Sequence, residues 1–158
     1  MTARRDNGEV NALAAAGAGF LLAVLWFDLM FDVQALRSAD DELPEAVLSS
    51  IASYYRRVTT TARPMDRLIA FVMLVTLAAI VVELVRADVP AWAGWTSLVL
   101  AAAPITLAAT RTLPNAIRLG AREDPADRQS ALARSVGREH LVCLASIAGL
   151  LALQLAVT

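Results

Sequence analysis

AWAGWTSLVLAAAPITLAAT, residues 91–110, holds twenty consecutive positions without a charge. A hydrocarbon core about 30 Å thick needs about 20 apolar residues in helix to cross it, so this stretch decides the class of fold. Three more stretches read the same way. Residues 10–27 are uncharged, residues 68–82 are uncharged up to Glu83, and residues 141–158 are uncharged. Their apolar side chains are not confined to one face, and a helix that is apolar all round is buried in a large core or in lipid. A chain of 158 residues cannot bury four such helices in water, so lipid is the solvent. The runs are too long for barrel strands and lack period-2 alternation. In lipid a helix satisfies its own backbone N–H and C=O groups. The expected fold is all-α: a four-helix transmembrane bundle in a single integral membrane domain, 1–158, with spans at about 10–36, 66–86, 91–113 and 139–157.

Composition agrees and excludes some functions. The chain is 58% hydrophobic and 18% charged, with a net charge of −1. That balance leaves no electrostatic footprint for nucleic acid. All fourteen basic residues are Arg, which reads as compositional bias. Cys143 is the single cysteine and lies inside an apolar run, so neither an intrachain disulfide nor a cysteine-based zinc site is expected. No cofactor is expected. Arg4 and Arg5 precede the first run and Ala14-Ala15-Ala16 resembles a cleavage site, but apolar sequence continues to Phe31. An uncleaved helix is expected there.

The loops carry their own signals. After Asp40-Asp41-Glu42, Pro44 fits a first helical position with Glu45 in the first turn. Val47, Leu48, Ile51, Tyr54, Tyr55 and Val58 follow at helical spacing. The spacing predicts an amphipathic helix at about 44–60, either lying on the membrane surface or packed on protein. Pro64 is expected to break the chain before the second span. Trp92 and Trp95 sit where aromatic belts form. Pro104 is expected to kink the third span and Pro114 to end it. Asp124 and Pro125 read as the cap and start of a further loop helix that continues into the fourth span. Ala15, Gly19 and Ala23, like Ala145 and Gly149, show the small-xxx-small spacing that lets membrane helices approach closely.

The loops after spans one and three carry eleven arginines, against three on the other side. The positive-inside rule then places both long loops in the cytoplasm and both termini outside, in a multi-pass cell-membrane protein.

The polar residues gather on the long-loop side. Asp28 and Asp32 are four apart and share a helix face. Asp66 and Arg67 open the second span, Arg111 and Asn115 close the third, and Glu139 and His140 open the fourth. Ionisable groups within a span are costly and suggest function. They also suit a structural role, with Asp28 or Asp32 paired to Arg67 or Arg111. His140, the only histidine, suits proton transfer or a hydrogen bond at the interface. A metal needs more: a di-iron bundle uses Glu-x-x-His pairs on two helices, and here Glu139 and His140 are adjacent with no second His. Tyr54 and Tyr55 read as anchors of the surface helix, or as lids over the site. Glu83, near Arg86, reads as one half of an interface ion pair.

Pro104-Ile105-Thr106 through Leu113-Pro114-Asn115 and Leu119, followed by His140, resembles part of the anthrone oxygenase-like membrane proteins. Their pattern runs P-x-T, P-x-N-x-x-L, then W-x-x-x-H-x-x-R in the last helix. Gly17-Ala18-Gly19-Phe20 resembles their glycine-rich first helix. The resemblance covers roughly a third of the chain. Here Pro114 and Asn115 are adjacent, Val136 stands at the Trp position and Cys143 at the Arg position. The resemblance implies cofactor-free oxygenation of a polycyclic phenol, with Asn115 and His140 as site residues.

Three functions compete. The first is a non-enzymatic accessory or lipid-contacting bundle, partnered by the bilayer and by a membrane complex or a second copy. The second is a small membrane enzyme acting on a hydrophobic molecule at the cytoplasmic interface, with Asp28, Asp32, Asn115 and His140 as catalytic candidates. The third is a transporter or channel, which spans without charges at their centres favour least. An enzyme needs a cavity lined by those four residues, whereas a structural bundle closes them into pairs with Arg67 and Arg111.

Overall fold

A computed structural model describes residues 2–157, with side-chain surroundings for residues 8–157 apart from 63. The side chains of Arg4, Arg5 and Arg63, which weigh in the charge asymmetry, lie outside the described residues. Six α-helices follow one another: α1 Thr2–Arg37, α2 Glu45–Arg56, α3 Arg63–Arg86, α4 Ala91–Leu107, α5 Leu113–Ala121 and α6 Ala126–Ala156. Four segments are long and apolar enough to cross a membrane: Gly8–Arg37, Pro64–Arg86, Ala91–Ala121 and Ala126–Ala156. The protein is a multi-span membrane bundle, with no strand among the described residues.

Proline stands differently from the sequence expectation. Pro44 and Pro125 are the residues just before α2 and α6, and neither helix has a side-chain cap. Asp124, expected to cap α6, instead pairs with Arg118 at 2.9 Å. Pro114 does not end the third span. A wide π turn at Ala108–Thr112 carries the helix through, and the Leu113 N–H reaches five residues back to the Ala108 carbonyl. The wider turn takes in one extra residue, as π bulges do, and the helix runs on as α5. A similar turn at Arg57–Thr61, closed by Ala62 N–H to Arg57 O at 3.0 Å, joins α2 almost directly to α3. Pro64 then falls in the first turn of α3, where its missing N–H costs little.

The spans form a ring. α1 packs on α3 and α6, and α4 packs on the same two; across the diagonal the backbones of α3 and α6 stay apart and meet through the side chains of Glu83 and Gln154. One apolar core fills the ring, from Ala14, Ala18 and Leu21 of α1 to Ile80 of α3, Ala101 of α4 and Ile147 and Leu150 of α6. A second core lies on the long-loop side. There Leu48, Ile51 and Tyr55 of α2 and Ala116 and Leu119 of α5 pack against Ala35 of α1 and Ala133 and Val136 of α6. So α2 is packed on protein rather than laid on lipid. α1 and α6 have 36 and 31 residues, about 54 and 46 Å at about 1.5 Å per residue. That exceeds a bilayer core, and the excess gives the cap its footing.

Close approach is set at a few glycines. A Cβ on Gly17 would strike the Thr76 hydroxyl of α3. One on Gly120 would come within 2.8 Å of the Arg56 backbone nitrogen. The packed face of α1 is Ala14, Gly17 and Ala18. The Ala15, Gly19, Ala23 stripe is rotated away from it: Gly19 has nothing within 4 Å and Ala23 is exposed. Trp26, Phe27, Phe71, Leu74, Trp92 and Trp95 are all exposed. In water such a surface would be an aggregation liability; on this bundle it faces lipid.

Candidate functional site

Two polar clusters lie inside the bundle. The first forms where α2 crosses the ends of α1 and α6. Asp28 and Asp32 sit one helical turn apart on α1, facing inward. Tyr54 and Tyr55 lie near the end of α2, and His140 is in the middle of α6. Asp32 is fully buried. Its Oδ1 accepts from the Tyr55 hydroxyl at 2.6 Å, and its Oδ2 lies 2.6 Å from His140 Nδ1. Asp28 Oδ1 accepts from the Tyr54 hydroxyl at 2.5 Å. The Asp28 Oδ2 atom faces His140 Nε2 at 3.9 Å, too far for a direct hydrogen bond. Phe31 stacks on Tyr54 with ring centroids 4.0 Å apart. Gly137 lets α6 approach, since a Cβ there would stand 3.2 Å from Asp32 Cβ.

Burial first, and then the neighbouring carboxylates, push both phenols above the ordinary tyrosine range. For Tyr54 the carboxylate is chiefly Asp28; for Tyr55 it is chiefly Asp32. Both tyrosines are therefore hydrogen-bond donors at any physiological pH. The chain places two donors and an imidazole around two carboxylates, which suits holding a geometry or relaying a proton.

The structure thus brings Asp28, Asp32 and His140 together, and leaves the other candidates apart. Asn115 lies half-buried on α5 and has no hydrogen bond to the cluster among the described residues. Arg67 and Arg111 are exposed, and the ion contacts of Asp28 and Asp32 run to His140 instead. α2 folds over this end of the ring, and the hydroxyls of Tyr54 and Tyr55 take one oxygen of each carboxylate. The roles of Tyr54 and Tyr55 were open at the level of sequence. Their position as consecutive tyrosines on the helix that follows the Asp28/Asp32 pair was the available signal.

The second cluster lies at the opposite end of the ring and was missed from sequence. Asn11 of α1 donates to Gln154 Oε1 of α6 at 2.8 Å, and Gln154 Nε2 donates to Glu83 of α3 at 3.1 Å and to Ser97 of α4 at 3.3 Å. All four residues are buried. Glu83 therefore faces inward, and makes no ion pair with Arg86 among the described residues. One polar residue from each span had no periodic signal to mark it. No group of three or more His, Cys, Asp or Glu side chains suited to a metal occurs among the described residues.

A ring of four spans, closed at each end by internal hydrogen bonds and capped by two short helices, defines a small polytopic membrane protein without a metal-type reaction centre among the described residues. Residues 10–157 match the family described as SHR3 chaperone, ER membrane protein SH3, and the chain belongs to that family. The match covers nearly the whole chain and overturns the resemblance to the anthrone oxygenase-like proteins, which rested on a short stretch around Pro104–Leu119 and His140. Comparison with curated proteins and with solved structures gave no match.

Proposed function

We propose that the protein is a non-enzymatic membrane accessory that assists other multi-span membrane proteins while their helices assemble. The observation that carries this reading is the division of the bundle into a closed polar interior and an apolar exterior. Asp32 is hydrogen-bonded with Tyr55 and His140, and Gln154 is hydrogen-bonded with Asn11, Glu83 and Ser97, while large side chains such as Phe71 and Leu74 of α3 and Trp92 of α4 point outward. Such an exterior meets another protein's spans by packing alone. Without a hydrophobic force between helices in lipid, that contact is weak and reversible, which suits a partner that must later leave. The family description supports the same reading. The arginine asymmetry supports both long loops in the cytoplasm, an orientation that an ER membrane and a cell membrane share because both face the cytosol.

The test is cell-free synthesis of a polytopic membrane protein into liposomes that already hold this chain. The expected result is a larger folded, monodisperse fraction than in empty liposomes. Replacing Phe71 and Leu74 by alanine should reduce the gain. An unchanged aggregated fraction at several-fold molar excess of the wild-type chain would refute the proposal.

A further inference from the structure

The ring leaves a cavity of about 120 Å³ lined by all four spans. Its walls are apolar, including Leu21 of α1, Met73 of α3, Ile105 of α4 and Ile147 of α6. Asp28 and His140 stand on its lining and bring a carboxylate and an imidazole into otherwise apolar surroundings. A cavity of roughly this size between aliphatic side chains admits a molecule about as large as benzene.

The hydrogen bonds around Asp28 and His140 say what the polar end of an occupant must supply. Asp32 Oδ1 accepts from the Tyr55 hydroxyl, and with Asp32 ionised its Oδ2 accepts from His140 Nδ1–H. That leaves His140 Nε2 without a hydrogen bond, on a residue only 8% exposed. Asp28 has given one oxygen to Tyr54 and keeps the other toward Nε2, across the 3.9 Å gap. A gap of that width leaves room for a polar atom that bridges the two groups from one side. The two carboxylates share a single imidazole, and no guanidinium lies within ion-pair distance of either among the described residues. With the carboxyls ionised and the imidazole's one proton on Nδ1, the cluster carries negative charge in excess and turns two acceptors, Asp28 Oδ2 and His140 Nε2, toward the cavity.

We propose that this cavity binds a small apolar primary amine, its ammonium held between Asp28 Oδ2 and His140 Nε2 and its tail among Leu21, Met73 and Ile147. A primary ammonium offers three donors and one positive charge, which answers both acceptors and the charge. A hydroxyl offers one donor and no charge. This site is independent of the accessory role above, since it faces the inside of the ring and that role uses the outside.

His140 is the only histidine in the chain, so ¹⁵N-histidine labelling gives a single imidazole to watch by NMR in detergent micelles. The probes are hexylamine, hexan-1-ol and hexane, each compared at equal concentration in the micelle phase. The expected result is a saturable shift of the Nε2 resonance by hexylamine, with a midpoint at least tenfold below that of hexan-1-ol. Asp28→Asn should abolish the preference for the amine, and Ala108→Phe, which fills the cavity, should abolish the shift. The wild-type titration decides the matter even if either variant fails to fold. Equal response to amine and alcohol would overturn the charge argument, and no saturable response to hexylamine would overturn the site.

Discussion

Removing the Tyr55 hydroxyl tests how the buried cluster holds the bundle. Tyr55→Phe deletes one donor to Asp32 and leaves the ring in place. The bond is 2.6 Å long, and the acceptor is fully buried, so water cannot replace the lost donor. Interhelical hydrogen bonds in membrane bundles average about 0.6 kcal/mol, but a bond to a carboxylate contributes about 1.5–3 kcal/mol. The dry carboxylate decides for the upper range. Asp32→Ala should cost about 3–5 kcal/mol, because it strands both Tyr55 and His140. The double variant should cost little more than Asp32→Ala alone, since the hydroxyl no longer has its acceptor. The coupling energy is then about 1.5–3 kcal/mol, within the range for residues in one network. It is read from equilibrium unfolding of the two single variants, the double variant and the wild type in mixed detergent–SDS micelles. Strictly additive costs, with coupling below about 0.3 kcal/mol, would refute the reasoning: the phenol and the carboxylate would be neighbours without energetic linkage.

Three other outcomes follow from the same structure. Gly17→Ala should destabilise the protein by about 1–3 kcal/mol through overpacking, and Thr76→Ala in the same chain should restore most of the loss, because the colliding hydroxyl is gone; thermal melting of the three variants checks this. Ala87 closes α3 in the left-handed conformation at φ 56°, so Ala87→Gly should raise stability by about 1 kcal/mol in the same melting assay. Stability should be indifferent to Tyr54 and Tyr55 below pH 10, their ordinary value, and should fall as pH rises beyond it. There the unfolded phenols release protons that the folded ones keep, so the unfolded state gains; melting curves between pH 8 and 11.5 should lose this slope in the Tyr54→Phe/Tyr55→Phe variant.

Much of this could be read from the residues in order. Four uncharged runs of span length imply four membrane helices whatever their partners, because backbone hydrogen bonding in lipid is a local requirement. The side on which Asp28, Asp32 and His140 gather is also local, since span length and chain direction decide it. The proline effects were less legible. Whether Pro114 stops a helix or is absorbed by a π turn depends on what the following residues gain by continuing, and Ala116 and Leu119 gain burial against α2 and α6.

Sequence alone determined the class of protein, the number of spans and the end of the bundle where charge collects. Tertiary structure decided which way each helix is turned. A helix that is apolar all round carries no phase in its pattern, so nothing in residues 10–27 says that Ala14, Gly17 and Ala18 face α3 and α6 while Ala15, Gly19 and Ala23 do not. The same rotation chose His140 and Tyr55, rather than Arg67 and Arg111, as the partners of Asp32. It also joined Asn11, Glu83, Ser97 and Gln154 across four helices and 143 residues of chain. Rotational setting is fixed only by the neighbours each span meets, and those exist only once the ring has closed.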